Sequence, residues 1–261
     1  MQRTYGTAWP VILMVVIFAA WATVLFAAGD RYEWLRLFIL IVLVVVGRRL
    51  LIKEGVVTAS GAIIMAFGIF VNGALHQFPV VNQAIGKDLT LFLFLVWMFI
   101  TTSFIKSYKQ GTFKKDHWDD PIKSFALGTW IAGTSVMGVA MFQRLPETRI
   151  LIYVIAVGNV ILWLLFIKHC ISNFKTIMVS RELRGKVHGV LLLSTVSTQS
   201  IVVLFSAMFA HPLLVVFSQG MILFGIALYA IGLVLIVNRY RRIREWTIAD
   251  EWQNTNCIIH G

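Results

Sequence analysis

Apolar residues run along this chain in blocks rather than in alternation with charge. Eight blocks approach the roughly 20 mostly apolar residues that a membrane-crossing helix needs: residues 8–28, 34–52, 56–75, 89–105, 124–142, 150–167, 188–209 and 213–237. Backbone in hydrocarbon must satisfy its own hydrogen bonds, so each block predicts a helix. The pattern therefore predicts an all-α integral membrane protein with about eight transmembrane helices. The first block is too long for a signal-peptide core and lacks a clear small-residue cleavage site, so it counts as a span. The second is the least regular. Arg48 and Arg49 follow Val46, the uninterrupted core 37–46 is short, and both arginines must snorkel to the headgroups. A half-inserted or strongly mismatched helix is the competing reading of that block.

Composition agrees with the pattern. Of 261 residues, 59% are hydrophobic and 13% charged, and the mean hydropathy is +0.82. A soluble domain carries about 25% charged residues. The net charge of +11 would suit a nucleic-acid partner in a soluble protein. Here it follows from basic residues gathering in cytoplasmic loops. Across the eight blocks, 18 of the 23 Lys and Arg fall on the side of the N-terminus. Arg31, Arg36, Lys87, Arg144 and Arg149 fall opposite. A missed span would scramble that alternation, so the reading is a multi-pass cell-membrane protein with a cytoplasmic N-terminus and no nucleic-acid partner. The polar connections 106–123 and 168–187 become cytoplasmic loops. Cys170 and Cys257 imply no disulfide framework. CxxC, HExxH, P-loop and GxSxG patterns do not occur.

Candidate chemistry is sparse. All twelve acidic residues fall outside the apolar cores of the blocks, which argues against a proton pump or a cation carrier built on buried carboxylates. Any pathway would be lined by neutral dipoles and apolar surface, with positive charge at its cytoplasmic mouth, and such an environment favours an anion. The fifth block carries Gly128, Thr129, Gly133, Thr134, Ser135 and Gly138. The seventh carries Ser194, Thr195, Ser197, Thr198, Gln199 and Ser200. Small and hydroxyl residues also serve plain helix packing. Gln199 stands apart, because a mid-membrane amide needs a partner or water, and a pathway role is expected for it. A haem or metal site would need paired histidines, and only His76 with His211, or His169 with His188, are placed to meet. Interfacial histidines are commoner than ligands, so no cofactor and no enzymatic activity are expected.

Four short stretches resemble one family. Asp120-Pro121-Ile122-Lys123-Ser124-Phe125 leads into WIAGTSVMGV at 130–139; AIIMAFGI occupies 62–69; VSTQS occupies 196–200; and Gly225, Leu228 and Tyr229 precede a basic end at Arg239. Their order and character are similar to those of the tellurite-resistance/dicarboxylate transporter family, which includes the plant slow-type anion channels. The resemblance implies ten helices, with an inner layer of odd-numbered helices around a pore that a phenylalanine of the ninth helix closes. It covers residues 56–261, so residues 1–52 form an additional N-terminal transmembrane hairpin and 53–261 a transporter- or channel-like region. NTNCIIHG at 254–261 reads like the opening of another span, and the chain is expected to be a fragment without the gating phenylalanine. Carried over, the pathway-lining residues would be Met65, Gly68, Thr129, Gly133, Thr134, Ser194, Thr195, Thr198 and Gln199. The implied activity is transmembrane transport of a small inorganic or carboxylate anion. The bilayer is the expected partner, and a homo-oligomer is compatible with it. The alternative is a non-transporting membrane subunit or sensor that binds a partner through its polar helices.

Overall fold

A computed structural model describes residues 16–17, 19–21, 23–24, 33–51, 57–209 and 212–242. Its helices are α1 (Glu33–Leu51), α2 (Gly61–Asn72), α3 (Pro79–Lys109), α4 (Gly128–Arg144), α5 (Arg149–Val179), the short α6 (Arg181–Arg184), α7 (Leu193–Met208) and α8 (Pro212–Arg242). There is no strand among the described residues. Six helical stretches are long and apolar enough to cross a membrane, and they coincide with the third to eighth blocks. The first block lies largely outside the described residues. The second forms α1, but its apolar part, Trp34–Val46, is shorter than a full span.

The six stretches pair into three hairpins: α2 with α3, α4 with α5, and α7 with α8. The first helix of each pair is short, at 12, 17 and 16 residues. Each follows a 3-10 turn: Thr58–Ser60, Lys123–Leu127 and Gly189–Leu192. The second helix is 31 residues in every case, or about 46 Å at 1.5 Å per residue, longer than the hydrocarbon core. Proline opens α3 and α8, where its missing N–H is harmless and its fixed φ suits a first turn. α4 packs on α2 to one side and on α7 to the other, while α3, α5 and α8 cover the outside of this row. The result is an inner row α2–α4–α7 and an outer row α3–α5–α8.

Glycine sets the spacing of the inner row. A Cβ on Gly61 would lie 2.5 Å from Thr129 C and Trp130 Cα, and one on Gly128 would lie 2.6 Å from the Leu193 carbonyl oxygen. Gly133 faces the Gly61 carbonyl and Ile64, and Gly68 faces Val136. Main chain therefore meets main chain, as small residues permit in membranes, where van der Waals packing replaces the hydrophobic effect between helices. Twelve of the seventeen residues of α4 are buried. The outward faces of α5 and α8 are apolar and exposed, with Val154, Val157, Leu164, Leu165, Val215, Leu223 and Ile226 among them. Inside lie Thr129, Thr134, Ser135, Asn159, Ser194, Ser197 and Thr198. Most of the interior is nonetheless apolar, and it is the extent of the apolar outer surface that suits a lipid surround.

One charge departs from the expected pattern. Asp88 is in the body of α3 and buried, and Arg36 of α1, also buried, sits 3.4 Å from it. The acidic residues are thus not all outside the packed helices. The pair ties α1 to the outer row beside a small apolar contact of Trp21 and Leu40. A carboxylate is tolerated there because its counter-charge arrives with it.

The glycine contacts make a testable contrast. Gly61→Ala should lower the detergent melting temperature by an amount corresponding to about 1–3 kcal/mol of overpacking. Gly158→Ala, where nothing lies within 4 Å, should be neutral or stabilising by up to about 1 kcal/mol through helix propensity. Equal melting shifts would show that α2 and α4 do not meet at Gly61.

Candidate functional site

The polar interior of the inner row begins with hydroxyls that bond their own helices. Ser194 donates to Leu191 O at 2.8 Å, Ser197 to Ser194 O at 2.9 Å, Thr198 to Ser194 O at 2.8 Å and Ser200 to Ser197 O at 2.7 Å. On α4, Thr129 donates to Ala126 O, Thr134 to Trp130 O and Ser135 to Ile131 O. Such bonds are a default for Ser and Thr inside apolar helices. A smaller set of bonds crosses between helices. Trp97 Nε1 of α3 donates to Thr134 Oγ1 at 2.8 Å, and Trp163 Nε1 of α5 donates to Thr198 Oγ1 at 3.2 Å. Asn159 Nδ2 of α5 donates to Ser135 Oγ at 2.9 Å and to Ile131 O at 3.1 Å. Ser200 Oγ lies 3.3 Å from Ser135 Oγ.

Ser135, Asn159 and Ser200 therefore form a neutral, buried cluster where α4, α5 and α7 meet. Asn159 Oδ1 finds no hydrogen-bond donor among the described residues. A buried unmet acceptor costs about 1–3 kcal/mol. Asn159, Trp97 and Trp163 escaped the sequence reading. The signal for Asn159 was present, as one amide in the middle of a long apolar run.

The nine expected pathway residues divide among three seams. Gly68 faces Val136 across the α2–α4 contact, and half-buried Met65 is on the same helix. Gly133 and Thr134 are enclosed in α4 against α2 and α3, and Thr129 is buried at its start. Ser194 and Thr198 are buried in α7. Thr195 and Gln199 turn instead toward α8, where Thr195 Oγ1 donates to Gly225 O at 3.2 Å and Gln199 Nε2 to Ile222 O at 3.3 Å. A Cβ on Gly225 would collide with the Gln199 amide. The structure thus brings Thr195 and Gln199 together with Gly225, a residue quoted in the sequence for another reason. It does not gather all nine around one opening.

Arginines close both ends of the bundle. Arg144 at the end of α4 donates through Nη2 to Val71 O at 2.8 Å and Asn82 Oδ1 at 3.2 Å, and through Nη1 to Asn72 Oδ1 at 3.3 Å. It also contacts His76 Nε2 at 3.2 Å. At the opposite end Arg239 Nη1 donates to Val187 O at 2.6 Å. His211 lies outside the described residues. His169 stacks on Trp118 with ring centroids 3.9 Å apart and bonds Asn173, while His188 accepts from Val190 N. No group of three or more His, Cys, Asp or Glu among the described residues could hold a metal ion. Compared with models of known families, with curated proteins and with solved structures, the chain matches none.

The basic end carries a pH dependence. Burial, with the Arg239 charge beside it, pushes His188 down to about 4 from 6.5, against a smaller opposing pull from Asp120. Burial also lowers His117, which contacts Thr58 at 2.8 Å. Both histidines are neutral in the fold at pH 7, whereas the unfolded chain takes up protons below pH 6.5. Stability from these groups is therefore present above about pH 6.5 and lost as the pH falls below it, for His188 on the way down to about 4. His188→Gln should flatten the melting temperature between pH 6.5 and 4 relative to the unaltered protein. An unchanged pH slope would remove His188 as its cause.

Proposed function

We propose that this chain is a multi-pass cell-membrane protein, cytoplasmic at its N-terminus and basic end, that moves a small anion along its inner row. Chloride, nitrate or a small carboxylate fits the chemistry, and the tellurite-resistance/dicarboxylate transporter resemblance supports it. The observation that carries the reading is the character of the inner helices. α4 and α7 bear the hydroxyls, α2 and α4 the close-packed glycines, and none of the three bears an ionisable side chain before the terminal Arg144 of α4. Lysines and arginines gather at one end of the bundle, at 106–123, 168–186 and 239–242. An anion meets attraction at that mouth and no carboxylate in the inner helices.

The hydroxyl bonds suit weak, reversible solvation. Most of the hydroxyls donate to carbonyls three or four residues back, which the helix ladder already engages. Turning a hydroxyl hydrogen toward a passing ion forfeits little, since the carbonyl it leaves keeps its place in the helix ladder. Conduction requires sites that bind well enough to admit an ion and loosely enough to release it. The layering supports the same reading. The helices that correspond to the family's first, third and fifth are those of the inner row. The alternative, a non-transporting subunit or sensor, needs polar side chains on an outward face, whereas Ser194, Ser197 and Thr198 are buried.

Liposomes carrying the protein translated from its whole reading frame should release chloride or nitrate faster than potassium. Potassium flux equal to or above anion flux would reject the proposal. Gln199→Leu adds a residue-level check. Its single bond to Ile222 O makes little loss of melting temperature expected, while removal of the amide dipole should lower anion flux severalfold. Normal flux in that variant would assign Gln199 to the packing of α7 on α8.

A further inference from the structure

An apolar groove of about 270 Å³ opens between α3 and α5 at the basic end of the bundle. Ile105 and Tyr108 of α3 form one wall, Leu162 and Phe166 of α5 the other, Trp130 of α4 the floor, and Trp118 helps to close the basic end. Thr101 also lines it, but its hydroxyl donates to Trp97 O at 2.7 Å. Walls of this kind do not hold water and accept apolar ligands. The volume falls just below the roughly 300–1,000 Å³ of small-molecule sites. The wall from Thr101 to Tyr108 is about 10 Å long by helical rise, which suits part of an acyl chain and is too short for a partner helix. Ile105 and Leu162 are exposed on the outward apolar faces of their helices, so the groove communicates with the lipid side.

Charge surrounds its basic end. Tyr108 is exposed in the last turn of α3, Lys109 ends that helix, and Lys114 directly follows Phe113 of the groove wall. Residues 106–123 contain five lysines against Asp116, Asp119 and Asp120. Asp120 is already engaged, accepting from Ile122 N and Lys123 N at 2.9 Å, with Lys123 Nζ at 3.9 Å. The rim is net positive at the depth where α3 leaves its apolar stretch, the level of lipid headgroups. Juxtamembrane lysines attract anionic lipid, which the cytoplasmic leaflet supplies.

We propose that this groove is a binding site for an anionic phospholipid, with one acyl chain between α3 and α5 and the phosphate against Lys109 and Lys114. The site is distinct from the hydroxyl seams of the inner row, and its occupancy does not depend on transport. An occupied groove would fix the 110–122 segment against α4 and α5 through Trp118 and Phe113.

Native mass spectrometry of the delipidated full-length protein, titrated with chain-matched phosphatidylglycerol and phosphatidylcholine, tests it. One phosphatidylglycerol should bind about thirtyfold more tightly than phosphatidylcholine, as two lysine contacts predict. Lys109→Glu with Lys114→Glu should abolish that preference. Leu162→Trp should fill the groove and remove the tight lipid. Leu164→Trp, on the same helix but outside the groove, should retain it. Ile105→Trp fills the site from the opposite wall and decides the matter if Leu162→Trp does not fold. Equal binding of the two lipids by the unaltered protein, or retention of tight phosphatidylglycerol by the folded groove-filling variant, would overturn the proposal.

Discussion

The inner row rests on main-chain contact between helices. Where Gly61 meets the backbone of Thr129 and Trp130, and Gly128 meets the carbonyl of Leu193, no side chain separates the helices. Apolar side chains cannot drive such a contact in lipid, because lipid tails serve them equally well. Close approach gains dispersion along the whole interface and requires residues without bulk. Once α2, α4 and α7 lie this close, the other placements follow. α4 becomes enclosed, its hydroxyls have no lipid to face, and α3 and α5 pack over the outside of the row.

Enclosure then decides how the polar groups are satisfied. A serine facing its own helix needs nothing from a neighbour, and most hydroxyls here take that course. Cross-links into the inner row from the first two hairpins come from larger donors on the outer helices, among them the indoles of Trp97 and Trp163 and the amide of Asn159. Each outer helix of the first two hairpins thus reaches inward with one or two N–H groups, while its opposite face stays apolar. At the two ends of the bundle, guanidinium groups perform the same task for carbonyls near helix termini. Arg144 serves Val71, near the last turn of α2, and Arg239 serves Val187, just before the 3-10 turn that leads into α7.

Much of this was legible in the chain, and the remainder was illegible for identifiable reasons. Six apolar blocks emerge as helices because twenty apolar residues in lipid have no other way to satisfy their backbone. The two blocks with runs of Gly, Ser and Thr emerge as inner helices, since small residues mark close contact. The outer helices were read too short. Residues 168–179 continue α5 although Lys168, His169 and Lys175 interrupt the apolar run, because Cys170, Asn173, Phe174 and Ile177 stay buried on one side. Hydropathy averages over the helix circumference and misses that stripe. Asp88 looked like a loop residue because its partner, Arg36, is 52 positions away in the chain. Asn159 stands out as one amide in an apolar run, but its role exists only once Ser135 is brought alongside.

The candidate pathway has the opposite difficulty. Its residue types were visible, but type does not distinguish a lining group from a packing group. Gln199 shows what geometry adds. Its amide occupies the place that a side chain on position 225 would need, so Gln199 and Gly225 specify one another across the α7–α8 seam. The amide makes one hydrogen bond, to Ile222 O, and is only half-buried. An amide with two donors and an acceptor therefore retains capacity for a further partner. Ser194 and Thr198, on the enclosed side of the same helix, have their hydrogens engaged and little surface exposed. If an anion passes along α7, the half-buried amide can meet it with its spare donor. The buried hydroxyls can do so only by turning their hydrogens away from the carbonyls of Leu191 and Ser194. The side of α7 turned toward α8 is thus the one where a neutral dipole is available without giving up a bond.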